Sequence, residues 1–118
     1  MAEYCLVGHV DPSRLDEYRA VHARVWPELL EALRDAGWRR YSLFLREDGT
    51  LIGYVEADDL DEAQARVAET DVNRRWQAAM AELFATDGAP DEAWERVPQV
   101  FQLERQLAEG AGGSPGPR

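Results

Sequence analysis

Arg40-Tyr41-Ser42-Leu43-Phe44-Leu45-Arg46-Glu47-Asp48-Gly49-Thr50-Leu51-Ile52-Gly53-Tyr54-Val55-Glu56 is the stretch that decides the fold. Its two halves, Arg40 to Glu47 and Thr50 to Glu56, read as strands, and Asp48-Gly49 between them is a strong short hairpin signal. A two-residue turn fixes the register: Glu47 faces Thr50, Leu45 faces Ile52, Leu43 faces Tyr54 and Tyr41 faces Glu56. Tyr41, Leu43, Leu45, Ile52, Tyr54 and Glu56 then share one face. A bulge or a longer turn would flip the second strand, so the place of Glu56 beside Tyr41 rests on the turn being short.

On the N-terminal side, Tyr4 to Val10 is an apolar run of strand length, closed by Asp11-Pro12-Ser13. Asp11 or Ser13 can cap a helix that runs to Gly37, because Leu15, Tyr18, His22, Val25, Trp26, Leu29, Leu30 and Leu33 recur at helical spacing. Pro27 interrupts that pattern and removes the amide that would bond the Ala23 carbonyl, which predicts a kink close after His22. Trp26 is expected in the core.

On the C-terminal side, Asp58-Asp59-Leu60-Asp61-Glu62 places acids at the start of a second helical region. Thr70-Asp71 is expected to interrupt and recap it, after which Val72, Trp76, Met80 and Leu83 form an inward stripe that ends near Asp87-Gly88-Ala89-Pro90. Val97 to Glu104 reads as a last strand, with Pro98 at its start or on an edge. The glycines and prolines beyond it predict a disordered tail over 107–118, which leaves one domain over 1–106.

Strand, helix, strand, strand, helix, strand is the order of a ferredoxin-like α+β fold, with both helical regions on one face of a four-stranded antiparallel sheet. The other face of so small a sheet must find cover. A homodimer in which two sheets close together is the expected solution.

The composition excludes several functions. The chain has 118 residues with a net charge of -10, and all thirteen basic residues are arginine. An acidic surface disfavours nucleic acid and anionic membranes, and a chain without lysine forms no side-chain Schiff base. No apolar run is long enough for a membrane span or a secretory leader, and Cys5 is the only cysteine, which points to the cytosol. His9, His22 and Cys5 fall in no metal-ligand spacing, no phosphate-binding glycine loop occurs, and Ser13, Ser42 and Ser114 lie in no nucleophile motif. Neither a metal nor a cofactor is expected.

What remains is proton transfer on a neutral small molecule, with His22 as the candidate acid–base group. Tyr18 lies one helical turn before it. Trp76 can offer an apolar ring to the C–H face of a ligand. On spacing alone, a single inward histidine is more often a satisfied core residue than a catalyst, and Tyr18 and Tyr41 fit a core equally well. His9 reads as strand surface, and Arg74-Arg75 as a solvated patch.

Tyr18-x-x-x-His22-x-x-x-Trp26-Pro27-Glu28-Leu29 shifts that balance, together with Tyr41, the run Thr70-Asp71-Val72-Asn73-Arg74-Arg75-Trp76 and the segment Val100-Phe101-Gln102-Leu103. These elements resemble the L-rhamnose mutarotase family over nearly the whole chain before the tail. The resemblance implies a dimeric α+β barrel that interconverts the α and β anomers of a 6-deoxy sugar. It makes His22 the acid–base residue, Tyr18, Tyr41 and Trp76 the sugar-binding residues, and Gln77 a further binding position, where this chain has an amide in place of the aromatic residue frequent in the family. Glu56, if opposite Tyr41, would be a second acid or base. Two other classes share the architecture: a small cofactor-free monooxygenase and a non-catalytic ligand-binding module.

Overall fold

Alternation and capping account for the elements in the computed structural model, which describes residues 1–83 and 94–110. Strand β1 (Ala2–His9) pairs antiparallel with β3 (Thr50–Ala57), which pairs antiparallel with β2 (Arg39–Leu45); β4 (Glu95–Val97) pairs with the other edge of β1. The sheet order β2-β3-β1-β4 is that of the ferredoxin-like α+β fold expected from the sequence. The first crossover carries α1 (Leu15–His22) and α2 (Pro27–Ala36), and the second carries α3 (Leu60–Ala68) and α4 (Asp71–Met80).

Local chemistry places the ends of these helices. The Asp11 side chain accepts from the Ser13 amide and caps a short 3₁₀ turn, Pro12–Arg14, that leads into α1. Pro27 occupies the first turn of α2, where a missing amide costs nothing, so the expected kink is a full break over residues 23–26 between two helices. Gly37 closes α2 in the left-handed conformation, with φ 105°. Asp59 caps α3 through the Glu62 amide, and Thr70 caps α4 through the Asn73 amide, as the recapping signal predicts.

The hairpin differs from its expected form. Arg46 N–H donates to the Thr50 carbonyl at 2.8 Å and Gly49 N–H to the Arg46 carbonyl at 3.0 Å, so the loop holds three residues, 47–49, with Gly49 at φ 93°. The register shifts by one: Leu45 faces Leu51, Phe44 faces Ile52, Leu43 faces Gly53 and Ser42 faces Tyr54. A bulge follows at Arg40-Tyr41, with Arg40 at φ 50°, before Arg39 meets Glu56. Tyr41 and Glu56 therefore lie on opposite faces of the sheet. Gly49 is also fixed by space, since a Cβ there would stand 2.3 Å from the Val10 carbonyl oxygen.

Two other expectations fail. The last strand is short and stops at Pro98, which has no amide to continue the ladder, and the Gln102 side chain instead caps α5 (Leu103–Glu109). Helix thus replaces the last two residues of the expected strand, Leu103 and Glu104, and the first residues of the expected tail; residues 111–118 and the Asp87–Pro90 loop end lie outside the described residues. Trp26 is not core. Set on the break between α1 and α2, it is 37% exposed.

One face of the sheet is covered by α1 to α4. Leu6, Val55 and Ala57 pack with Ala36, Trp38, Leu60, Ala63 and Val67, while Val10 and Leu51 pack with Tyr18, Leu29, Val72, Trp76, Met80 and Leu83. Leu33 and Trp94 touch both groups and join them. Along β3 the burial alternates strictly, with Leu51, Gly53, Val55 and Ala57 inward and Ile52, Tyr54 and Glu56 on the uncovered face.

Candidate active site

Six elements, α1 to α4 with β2 and β4, converge on one cavity of about 770 Å³ in the covered face of the sheet. The end of α1 brings His22, α2 brings Leu29 and Leu33, β2 brings Tyr41 and Leu43, and α4 brings Asn73, Trp76 and Gln77. Trp38, Gln64, Trp94 and Arg96 complete the far wall. Gly8 and Gly53 make room for the Trp94 ring, which would lie 3.3 Å from a Cβ at residue 8.

His22 occupies the last turn of α1, where its Nδ1 lies 2.9 Å from the Tyr18 carbonyl oxygen. An oxygen that can only accept requires Nδ1 to carry the proton, so the neutral ring keeps its lone pair on Nε2. Burial pushes the imidazole pKa below its ordinary value, and the bond to the Tyr18 carbonyl offsets this only in part. The His22 imidazole is therefore neutral at neutral pH.

Aromatic rings hold that imidazole in place. The Tyr18 ring stacks on the imidazole with centroids 4.0 Å apart and planes inclined by 20°, and Trp76 meets it edge-on at 5.3 Å. Trp26 in turn meets Trp76 edge-on at 5.1 Å, with the Arg75 guanidinium 6.0 Å from the Trp26 ring. Tyr18 is 4% exposed and backs the imidazole without itself forming the cavity wall. Burial raises the phenol pKa of both Tyr18 and Tyr41, and the nearby Tyr41 adds to the rise at Tyr18, so both remain hydroxyl groups across the physiological range.

The expected site residues thus divide. His22, Tyr41, Trp76 and Gln77 line one cavity, and Tyr18 supports His22 from behind. Glu56 does not belong with them. It lies on the uncovered face, where it accepts from the Tyr54 hydroxyl at 3.0 Å and pairs with Arg40 at 3.5 Å. The one-residue shift of the hairpin is the physical reason. Asn73 and Arg96 are cavity residues that the sequence reading did not select. Asn73 could have been found as a polar residue one helical turn before Gln77, facing the same way.

Arg96 spans to α3, where it pairs with Asp61 at 2.6 Å and bonds Gln64 Oε1 at 2.9 Å. This closes the polar end of the cavity. Among the described residues, no group of three or more His, Cys, Asp or Glu is placed to hold a metal ion.

The sheet order, with the helices on one face over a cavity lined by His22 and aromatic residues, places this chain among the small ferredoxin-like α+β proteins. Solved members of that class are chemically diverse: the fold matches an L-rhamnose mutarotase from Formosa agariphila (TM-score 0.69, 24% identity, 86% of this chain and 98% of that one) and an antibiotic biosynthesis monooxygenase (TM-score 0.57, 18% identity, 86% and 100%). The sequence pattern of the L-rhamnose mutarotases matches residues 3–103. The chain belongs to the L-rhamnose mutarotase family. Relatives of that name include proteins from Burkholderia cenocepacia (strain HI2424), 45% identical over 98 residues covering 81% of this chain and 92% of the relative, and Bacillus subtilis (strain 168), 35% identical over 96 residues covering 80% and 91%.

Proposed function

We propose that this protein is an isomerase that interconverts the α and β anomers of L-rhamnose, or of a close 6-deoxy sugar, by opening and reclosing the ring. The observation that carries the chemistry is the neutral His22 imidazole, with Nδ1 tied to the Tyr18 carbonyl and Nε2 without a partner among the described residues, in the wall of a cavity with ample room for a monosaccharide. Nε2 takes the proton of the anomeric hydroxyl as the bond from C1 to the ring oxygen breaks. The imidazolium so formed gives its proton to the departing ring oxygen, which is bonded to the same carbon and is within reach of the same nitrogen. The open aldehyde turns about its C1–C2 bond, and the same two transfers run in reverse to close the other face. Atoms, charge and protons balance without any co-reactant.

The remaining residues support binding. Trp76 offers its ring to the C–H and methyl face of the sugar, Tyr41 and Gln77 meet hydroxyl groups, and Tyr18 holds the imidazole plane and keeps a protonated phenol beside it. With Glu56 on the other face, no carboxylate is needed for either transfer.

The reading gives the pH dependence a sign. Because the neutral imidazole starts the reaction and burial lowers its pKa below the ordinary 6.5, kcat/KM should be level above about pH 6.5. It should fall tenfold per pH unit only once the pH drops below the lowered value. Exchange NMR on the anomeric protons of L-rhamnose, with the buffer-catalysed rate subtracted, measures this, and a rate that climbs as the imidazole protonates would refute the base assignment.

The uncovered sheet face supports a homodimer. Phe44 is 59% exposed there opposite Ile52, Val97 is 42% exposed on the other edge strand, and Phe101 just after β4 is 58% exposed, which is unusual for a chain alone in water. Sedimentation at micromolar concentration is expected to give twice the chain mass, and Ile52→Asp to give the single chain. A wild-type monomer would contradict the closure of two sheets. Free Cys5, half-buried on that face, fits the reducing conditions of the cytosol.

A further inference from the structure

Two consecutive residues of the break between α1 and α2 face different spaces. Val25 lines the cavity, whereas Trp26 lies in a separate surface recess of about 320 Å³ with Pro27, Glu28, Val72 and Arg75. An indole placed there forms no part of the cavity wall. It does touch that wall from behind, since it meets Trp76 edge-on at 5.1 Å with the planes at 88°, and Trp76 meets His22 edge-on at 5.3 Å with the planes at 84°. Trp76 thus stands between two rings, one inside the cavity and one outside it.

The outer ring is itself fixed. The Trp26 carbonyl accepts from the Leu29 and Leu30 amides at 3.0 and 3.1 Å, which ties its backbone to the first turn of α2. The Arg75 guanidinium lies 6.0 Å from the centre of its ring, and donates to Asp71 on its own helix at 2.9 Å and to Glu28 on α2 at 3.4 Å. These ion pairs are exposed and add little stability by themselves. What they supply is direction, because a planar guanidinium held by two carboxylates keeps its place beside the ring. His22 needs a hold of this kind: it is the last residue of α1, its ring bonds only to a carbonyl of its own helix, and the chain breaks directly after it.

We propose that Trp26 and Arg75 are positioning residues for the anomerisation, bracing the Trp76 ring from outside the cavity so that Trp76 keeps the His22 imidazole aligned with the sugar. An edge-on ring contact has a preferred angle because both rings carry a quadrupole, and an aliphatic side chain of similar bulk fills the space without setting that angle. Loss of one such contact corresponds to about 2- to 10-fold in rate. The effect is smaller than removal of the imidazole, since Tyr18 still stacks on it. Trp76 faces both the imidazole and the sugar, so a loosened ring lowers kcat and weakens binding together.

The brace rests on the anomerisation reading, and its test keeps the two apart. Wild type, Trp26→Phe, Trp26→Leu and Arg75→Met are compared by exchange NMR on L-rhamnose, with sugar binding followed by ligand-observed NMR and folding by urea titration. Trp26→Leu and Arg75→Met are each expected to lower kcat and weaken binding by about 2- to 10-fold, whereas Trp26→Phe, which restores an edge-on ring, stays within about twofold of wild type. The variant carrying both Trp26→Leu and Arg75→Met should be no worse than Trp26→Leu, because both changes act through one ring. Wild-type kcat and binding in Trp26→Leu would overturn the brace, as would a Trp26→Phe no better than Trp26→Leu. A drop in kcat alone, tracking urea stability with binding unchanged, marks partial unfolding and overturns it too. Should Trp26→Leu fail to fold, Arg75→Met decides in the same way, since it alters an exposed side chain. If wild type binds the sugar but speeds no anomer exchange, the anomerisation reading falls, and the binding constants of the same variants decide the brace.

Discussion

Replacing His22 with alanine should reduce the anomerisation rate by about 10² to 10⁴ while leaving sugar binding within a few fold, since positioned acid–base groups contribute that range and the imidazole is one wall among several. The loss should fall on kcat. Trp76, Tyr41, Gln77 and Asn73 all remain in the cavity of His22→Ala, so KM has little reason to move. Structure should survive as well, because the ring is only half-buried and its one hydrogen bond is to a helix carbonyl. His22→Gln sharpens the result: an amide can donate to the Tyr18 carbonyl and fill the same space, but it cannot carry a proton at neutral pH. Exchange rates of the two variants should therefore be equally low, and a near-normal rate in either would remove His22 from the chemistry.

Leu51→Ala should destabilise the fold by about 2–5 kcal/mol, the range for truncating a buried leucine where the neighbours cannot collapse. Leu51 is 0% exposed on β3, in the group of Val10, Tyr18, Leu29 and Trp76. Two of them, Tyr18 and Trp76, hold the imidazole. Urea unfolding followed by tryptophan fluorescence measures the loss, and activity below the transition should fall with it because Tyr18 and Trp76 lose a common neighbour. A change under about 1 kcal/mol would mean that the helices can settle onto the sheet without this side chain.

Period and punctuation made most of the fold legible. The spacing of Val72, Trp76, Met80 and Leu83, the caps at Asp59 and Thr70, and Pro27 close after His22 each depend on neighbours a few residues away, and each is found where the sequence puts it. The hairpin register was harder. Asp48-Gly49 serves a two-residue turn as readily as the last two positions of a three-residue loop, and the choice depends on which face of β3 the helices cover. Leu51 and Val55 had to be inward, and that tertiary demand moved Glu56 away from Tyr41.

Trp26 was misread for a related reason. Helical spacing assumes one continuous rotation, and the break at 23–26 ends the rotation before Trp26 is reached. The last strand was read too long because Pro98 ends the ladder directly after Val97 and the Gln102 cap starts a helix at Leu103. In the site, His22 and Tyr18 were visible as a pair one turn apart. The Asn73–Gln77 pair has the same spacing but no distinctive residue type, so it appears only once its hydrogen bond and its place in the cavity wall are seen.

Arg96, the cation in the cavity wall, has a consequence for the safety of the reaction. Opening a sugar ring exposes a free aldehyde, the form in which sugars glycate proteins by condensing with amines. Here the nearby cation is a guanidinium paired with Asp61, which stays protonated and does not form an imine, and the sequence supplies no lysine to any part of the chain. The aldehyde can live long enough to turn about its C1–C2 bond without marking the protein that made it.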